Sequence, residues 1–264
     1  MPTRHAIPVA DGERVVAVHH APDGRDGSPG AGADGPPWLV FCHGFLSDKS
    51  GSYEGRCERA ASEGYDAVRF DFRGCGEADG DFVDQTLSAK IADLRAVLAH
   101  FNPGSVALFG SSFGGKIAFH AAAELAVSDG ADGGADGDAG TGDVTIEAIA
   151  TRAPVTYNRT FAEARREVDR EGSLTFETGQ TIDDGFFEDL ANHPFADAVA
   201  AVDCPVLLVH GAEDGSVDIA DSFEAATALE TDVLLEKVQG EGHRFSGAGE
   251  RRLRTRLFDW LATV

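Results

Sequence analysis

Six short apolar runs, at 38–43, 66–71, 105–110, 146–151, 205–210 and 233–238, recur along the chain with helix-length segments between them. The segments near 50–63, 86–101, 112–126, 216–229 and 247–262 carry apolar residues at helical spacing. Short buried strands alternating with helices pair mostly in parallel and are covered on both faces, so the expected class is α/β with helices on either side of a mostly parallel sheet. Ahead of them, 4–9 and 13–20 flank Asp11-Gly12, a dipeptide suited to a tight turn. This spacing predicts an antiparallel hairpin at the sheet edge.

The junction of the run at 105–109 with the helix-like run at 115–123 reads Gly110-Ser111-Ser112-Phe113-Gly114-Gly115. In such a Gly-x-Ser-x-Gly turn the central serine sits in a strained conformation, and the small glycines let strand and helix approach closely. A serine hydroxyl needs a histidine to take its proton and a carboxylate to orient that histidine. Both follow in order. Asp214 lies in the turn after 205–210, with Glu213 and Asp218 as competing acids, and His243 lies after the strand at 233–238. The run 38–42 leads into His43-Gly44-Phe45, so the N–H groups of Phe45 and Phe113 are the candidate donors to an oxyanion.

Five segments together carry a resemblance: His43-Gly44-Phe45, Asp71-Phe72-Arg73-Gly74-Cys75-Gly76, the Ser112 turn, His210-Gly211-Ala212-Glu213-Asp214 and Gly242-His243. The chain resembles an α/β-hydrolase of the esterase and serine-aminopeptidase-like group, and within it the cinnamoyl- and feruloyl-esterase-like carboxylesterases. The resemblance spans nearly the whole length. It implies the α/β-hydrolase fold, a triad of Ser112, Asp214 and His243 with Asp214 favoured by the His-Gly-x-x-Asp spacing, and ester hydrolysis without metal or organic cofactor. The second segment departs from Arg-Gly-His-Gly-x-Ser by placing Cys75 and Ala78 at the His and Ser positions, and Ser111 stands where the family often has His. By the same resemblance the irregular stretch at about 154–194 is a small cap, inserted in a single domain of residues 1–264. Within it, 161–170 has helical spacing and 173–182 alternates around Thr178-Gly179 as a hairpin would.

Composition limits partners. Asp and Glu number 45 against 22 Lys and Arg, a formal net charge of -23. A phosphate backbone is repelled by such a surface, which excludes nucleic acid as a partner class. Because the acids are spread along the whole chain, the charge reads as a carboxylate surface suited to a salt-rich, halophilic cytoplasm. No run approaches the roughly 20 apolar residues of a membrane span, and residues 1–5 lack the pattern of a signal peptide, so the expected location is cytoplasmic. Cys42, Cys57, Cys75 and Cys204 form no Cys-x-x-Cys pair and read as small buried apolar residues. The Gly/Pro/Asp-rich loop at 22–37 has too little apolar content to pack, and the Asp/Gly stretch at 128–143 lacks the spacing and closing Glu of a calcium loop.

His43 reads as a structural residue whose ring orders the oxyanion loop. Phe186, Phe187 and His193 are the expected pocket residues, alongside Phe45 and Phe113. The expected substrate is a small-molecule ester. A peptidase or amidase, an acyltransferase and a non-catalytic binding protein are the rival readings, and Glu163, Glu167 and Glu188 are the carboxylates an aminopeptidase would use for a substrate ammonium.

Overall fold

The computed structural model describes residues 1–22, 37–129 and 144–264. The expected loop at 22–37 and acidic stretch at 128–143 lie, apart from their ends, outside the described residues. The chain opens with β1 (Thr3–Pro8) and β2 (Arg14–His20), paired antiparallel in the register Thr3↔His19 to Pro8↔Arg14. Asp11 (φ 61°) and Gly12 (φ 75°) turn the chain between them. There follow β3 (Trp38–Cys42), α1 (Ser52–Ser62), β4 (Asp66–Asp71), α2 (Leu87–Phe101), β5 (Ser105–Ser111), α3 (Phe113–Asp129) and β6 (Thr145–Arg152). After the irregular segment come α6 (Phe195–Ala201), β9 (Val206–Gly211), α7 (Ile219–Ala228), β10 (Val233–Val238) and α8 (Gly247–Leu261).

Among the described residues, the sheet has eight strands in the order β1-β2-β4-β3-β5-β6-β9-β10. Only the pairings of β1 with β2 and of β2 with β4 are antiparallel; the rest are parallel. Side chains of a strand alternate between faces, and the core divides accordingly. Trp38, Val40, Cys42 and Leu108 pack with residues of α2, α3 and α6 on one face, while Leu39, Phe41, Ala107 and Phe109 pack with Tyr53, Cys57, Leu253 and Leu257 of α1 and α8 on the other. Both faces are apolar because both are covered, which is why the strands read as continuous hydrophobic runs.

Between β6 and α6 lie α4 (Ala162–Glu171), the hairpin β7 (Ser173–Thr175) and β8 (Thr181–Asp183), and α5 (Asp184–Ala191). Gly172 (φ 80°) ends α4 in a left-handed conformation. Asp183 starts α5, its carboxylate accepting the Gly185 N–H at 2.9 Å. Two lengths of backbone in this segment meet at Lys116 of α3. Its buried Nζ donates to the carbonyls of Thr156 at 3.2 Å and His193 at 3.0 Å, and burial pushes the ammonium down to about 8. No described helix is long and apolar enough to cross a membrane.

Candidate active site

β5 ends at Ser111 and α3 begins at Phe113; Ser112 between them has φ 54°. A non-glycine residue held there costs about 1–3 kcal/mol, so its surroundings must impose it. They do so through three bonds. The Ser112 N–H donates to the Arg152 carbonyl at 2.9 Å, and the Ser112 carbonyl accepts from Gly115 at 2.9 Å and Val155 at 3.0 Å. The flanking glycines supply the room. A Cβ on Gly110 would collide with the backbone of Gly114 and Gly115, and one on Gly114 with the carbonyls of Cys42 and His43.

Three strand ends converge on this turn. Gly211 closes β9 against the turn after β10, where a Cβ would strike the carbonyls of Glu241 and Gly242. The close approach lets the Glu213 N–H reach the Glu241 carbonyl at 2.9 Å, which brings Asp214 to His243. Nε2 of His243 lies 3.1 Å from Oγ of Ser112, and its Nδ1 lies 2.8 Å from Oδ2 of Asp214. The carboxylate requires Nδ1–H on His243, leaving Nε2 to accept the serine proton. Of the competing acids, Asp218 caps α7 by accepting the Ala220 N–H at 2.9 Å, and Glu213 is exposed.

Asp214 is held on four sides. Oδ1 accepts the N–H groups of Ser216 at 2.8 Å and Val217 at 3.0 Å, while Oδ2 takes His243 and also Nε2 of His210 at 3.1 Å. Burial works against the charge, but the bonds from His210, His243, Val217 and Ser216 outweigh it and hold the carboxyl far below the usual carboxylate range. His210 opens the His-Gly-x-x-Asp motif, whose spacing singles out Asp214 and carries no sign of a role for the histidine itself. Its Nε2 also lies 3.1 Å from the Val217 carbonyl, so Nε2 carries the proton and Nδ1 accepts from the Ser222 hydroxyl at 2.7 Å.

The β3 turn runs past the serine. A methyl on Gly44 would stand 3.5 Å from Cβ of Ser112, so the chain entering Phe45 passes beside the hydroxyl. Phe113 opens α3, where helical N–H groups have no intrahelical partner. The rings of Phe45 and Phe113 pack edge to face at 5.2 Å. His43 braces the turn: Nδ1–H donates to the Gly44 carbonyl at 2.8 Å and Nε2 accepts the Phe72 N–H at 3.2 Å. Burial pushes its imidazole down to about 4, which keeps the ring neutral and able to accept. The loop carrying Cys75 and Ala78 is anchored through Asp71, whose carboxylate accepts Lys49 Nζ at 2.5 Å, the Lys49 N–H at 2.7 Å and the Glu77 N–H at 2.8 Å. Ser111 is likewise buried, its Oγ accepting from Arg56 at 3.2 Å.

Among the described residues, two cavities open on Ser112 and His243. The first, about 480 Å³, is lined by Phe45, Val155, Phe161, Leu174 and Phe176, with Glu163 and Glu167 of α4 also on its wall. The second, about 610 Å³, is of mixed character: Phe45, Leu46 and Phe245 line it together with Ser47, Arg152, Arg244 and Glu250. Of the expected pocket residues, Phe45 lines both, whereas Phe113, Phe186, Phe187 and His193 line neither. Phe186 packs behind the wall against Phe45, Phe113 and Phe161, at 5.1, 6.0 and 5.3 Å. Phe187 is buried under Arg165, and His193 is turned away to Ser88 Oγ at 2.8 Å. The aromatic lining comes instead from Phe161 and Phe176, whose helical and alternating patterns gave no sign of which face would meet the serine. Glu188 is exposed and lines neither cavity. The four cysteines are free and buried; burial pushes the thiols up, Cys204 to about 11.

Comparison with known proteins adds kinship to this geometry. A family model described as the alpha/beta hydrolase family matches residues 39–253. The Mus musculus protein "Palmitoyl-protein thioesterase ABHD10, mitochondrial" is 27% identical over 245 residues, covering 86% of this chain and 77% of that protein. A putative hydrolase from Agrobacterium vitis S4 superposes with a TM-score of 0.78 at 25% identity, covering 98% of both chains. Est1E from Butyrivibrio proteoclasticus, solved with bound ferulic acid, superposes at 0.77 with 19% identity over 98% of this chain and 100% of its own, a likeness of fold.

Proposed function

Because this chain belongs to the alpha/beta hydrolase family, we propose that it is a serine hydrolase that cleaves carboxylic esters, oxygen or sulfur, through an acyl-enzyme on Ser112. The observation that carries this reading is the hydrogen-bond chain Ser112–His243–Asp214, opening onto two cavities from a serine held at positive φ. His243 Nε2 removes the proton as Oγ attacks the carbonyl carbon, and Asp214 stabilises the resulting imidazolium. The N–H groups of Phe45 and Phe113 stabilise the oxyanion, each such donor contributing on the order of 10²–10³ in rate. Collapse breaks the bond to the leaving group, which departs with the proton from His243. Water, activated by the same ring, then attacks the acyl-enzyme, and the acid leaves as Ser112 regains its proton.

The apolar cavity takes the acyl chain, and the segment 154–194 acts as a cap that shapes it through Phe161, Leu174 and Phe176. The mouse relative's name as a palmitoyl-protein thioesterase supports including thioesters. A fluorophosphonate probe tests the assignment: label confined to Ser112 and lost in Ser112→Ala supports it, whereas near-wild-type turnover by that variant refutes it. Graded p-nitrophenyl esters, matched thioesters and aminoacyl anilides then separate esterase from peptidase.

A further inference from the structure

The second cavity is lined by two arginines, Arg152 and Arg244, that acyl-enzyme chemistry leaves unused. Arg152 stands at the end of β6, its carbonyl bonded to the Ser112 N–H and its guanidinium over the Phe245 ring at 5.7 Å. Glu250, the nearest acid, is already engaged. Nη2 of the buried Arg56 meets both of its oxygens at 2.7 and 2.9 Å, and Nη1 of Arg152 reaches one of them only at 3.5 Å. Among the described residues, Nε of Arg152 is buried without a hydrogen-bond partner. Arg244, next to His243, adds an exposed guanidinium to the same wall. Asp48 also lines the cavity, with Oδ1 accepting the Ser50 N–H at 2.7 Å. Thus two guanidiniums and the carboxylates of Asp48 and Glu250 line the cavity onto which Ser112 opens, and Glu250 is held by a third guanidinium, that of Arg56, in a chain of net charge -23.

The apolar cavity offers the other sign, because Glu163 and Glu167 line it, Glu167 being paired with Arg170, and Glu163 would repel an anion. The two cavities thus offer a substrate linings of different charge. We propose that this second cavity is a leaving-group subsite that selects alcohols or thiols bearing a carboxylate or phosphate, held by Arg152 and Arg244. The planar guanidinium fork matches both anions, and its donors are strongest where water is restricted. This subsite rests on the serine-hydrolase reading above.

The test compares butyrate esters of 4-hydroxybenzoate and of 4-hydroxyphenyl phosphate with the butyrate ester of neutral 4-hydroxybenzamide, each rate normalised to alkaline hydrolysis and measured in KCl at one fixed concentration. Wild type is expected to favour at least one anionic ester in kcat/KM by about tenfold, the effect of one hydrogen bond to a charged group. Arg244→Gln should remove most of that preference and Arg244→Glu should invert it; the exposed position keeps folding out of the result. Arg152→Gln, checked for fold by circular dichroism, should reduce the ratio as well. The benzoate and phosphate arms identify which anion is read. A wild-type ratio near one, or a preference that survives both Arg244 variants, overturns the subsite while leaving the esterase reading intact. No turnover of any ester together with no fluorophosphonate label on Ser112 overturns both.

Discussion

His210 shares one carboxylate oxygen of Asp214 with His243: its Nε2 stands 3.1 Å from Oδ2, where Nδ1 of His243 stands at 2.8 Å. Two N–H donors on one oxygen, with two backbone N–H groups on the other, leave the carboxylate no freedom to rotate away from the imidazole. His210→Phe is therefore expected to lower kcat about tenfold, the effect of losing one hydrogen bond to a charged group. His210 lines neither cavity, so KM should change little. Steady-state kinetics on a single ester checks this; a rise in KM with kcat unchanged would refute the positioning role.

His43 makes the fold acid-sensitive. Burial pushes its imidazole from 6.5 down to about 4, and its Nε2 accepts the Phe72 N–H only while neutral. A folded pKa below the unfolded one means the stabilisation is complete above pH 6.5 and is lost as pH falls through about 4. His20 and His120, pushed down to about 4 and about 3, act in the same direction. Urea midpoints should fall between pH 6.5 and 4, and His43→Phe should start lower at pH 7 but show a shallower slope. Equal slopes would contradict the assignment.

The cap reading is tested at its aromatic wall. The Phe45 ring meets Phe161 at 5.3 Å and Phe176 at 5.7 Å, edge to face. Phe161→Ala and Phe176→Ala widen the apolar cavity and should shift the kcat/KM ratio between a bulky aryl ester and an acetate ester several-fold, with Ser112 still labelled by fluorophosphonate. An unchanged ratio in both variants would move the specificity pocket elsewhere.

Charge predicts a salt requirement. With a formal charge of -23, self-repulsion opposes the compact state until ions screen it, and the screening length is about 3 Å at 1 M salt. The thermal midpoint should rise by several degrees between dilute buffer and molar KCl. A flat response would remove the halophilic reading and point to a cationic partner.

Much of this architecture was readable from the chain because its causes are local. Strands covered on both faces must be apolar throughout, helices between them must be amphipathic, and a turn that packs strand against helix must be glycine-rich; hence the runs and turns place Ser112 and His243 as candidates, while the family resemblance favours Asp214 over Glu213 and Asp218. Tertiary structure decided what depends on contacts between segments distant in the chain. Asp214 rather than Glu213 or Asp218 meets His243 because Gly211 lets two turns touch backbone to backbone, and His210 joins them because β9 directs its ring into the same turn. The cavity aromatics are Phe161 and Phe176 rather than Phe186 and Phe187 because α5 turns its phenylalanines into the packed interior. Composition and periodicity record that a side chain is apolar. Whether it ends in the core or faces the serine depends on how the segment docks, which no local pattern encodes.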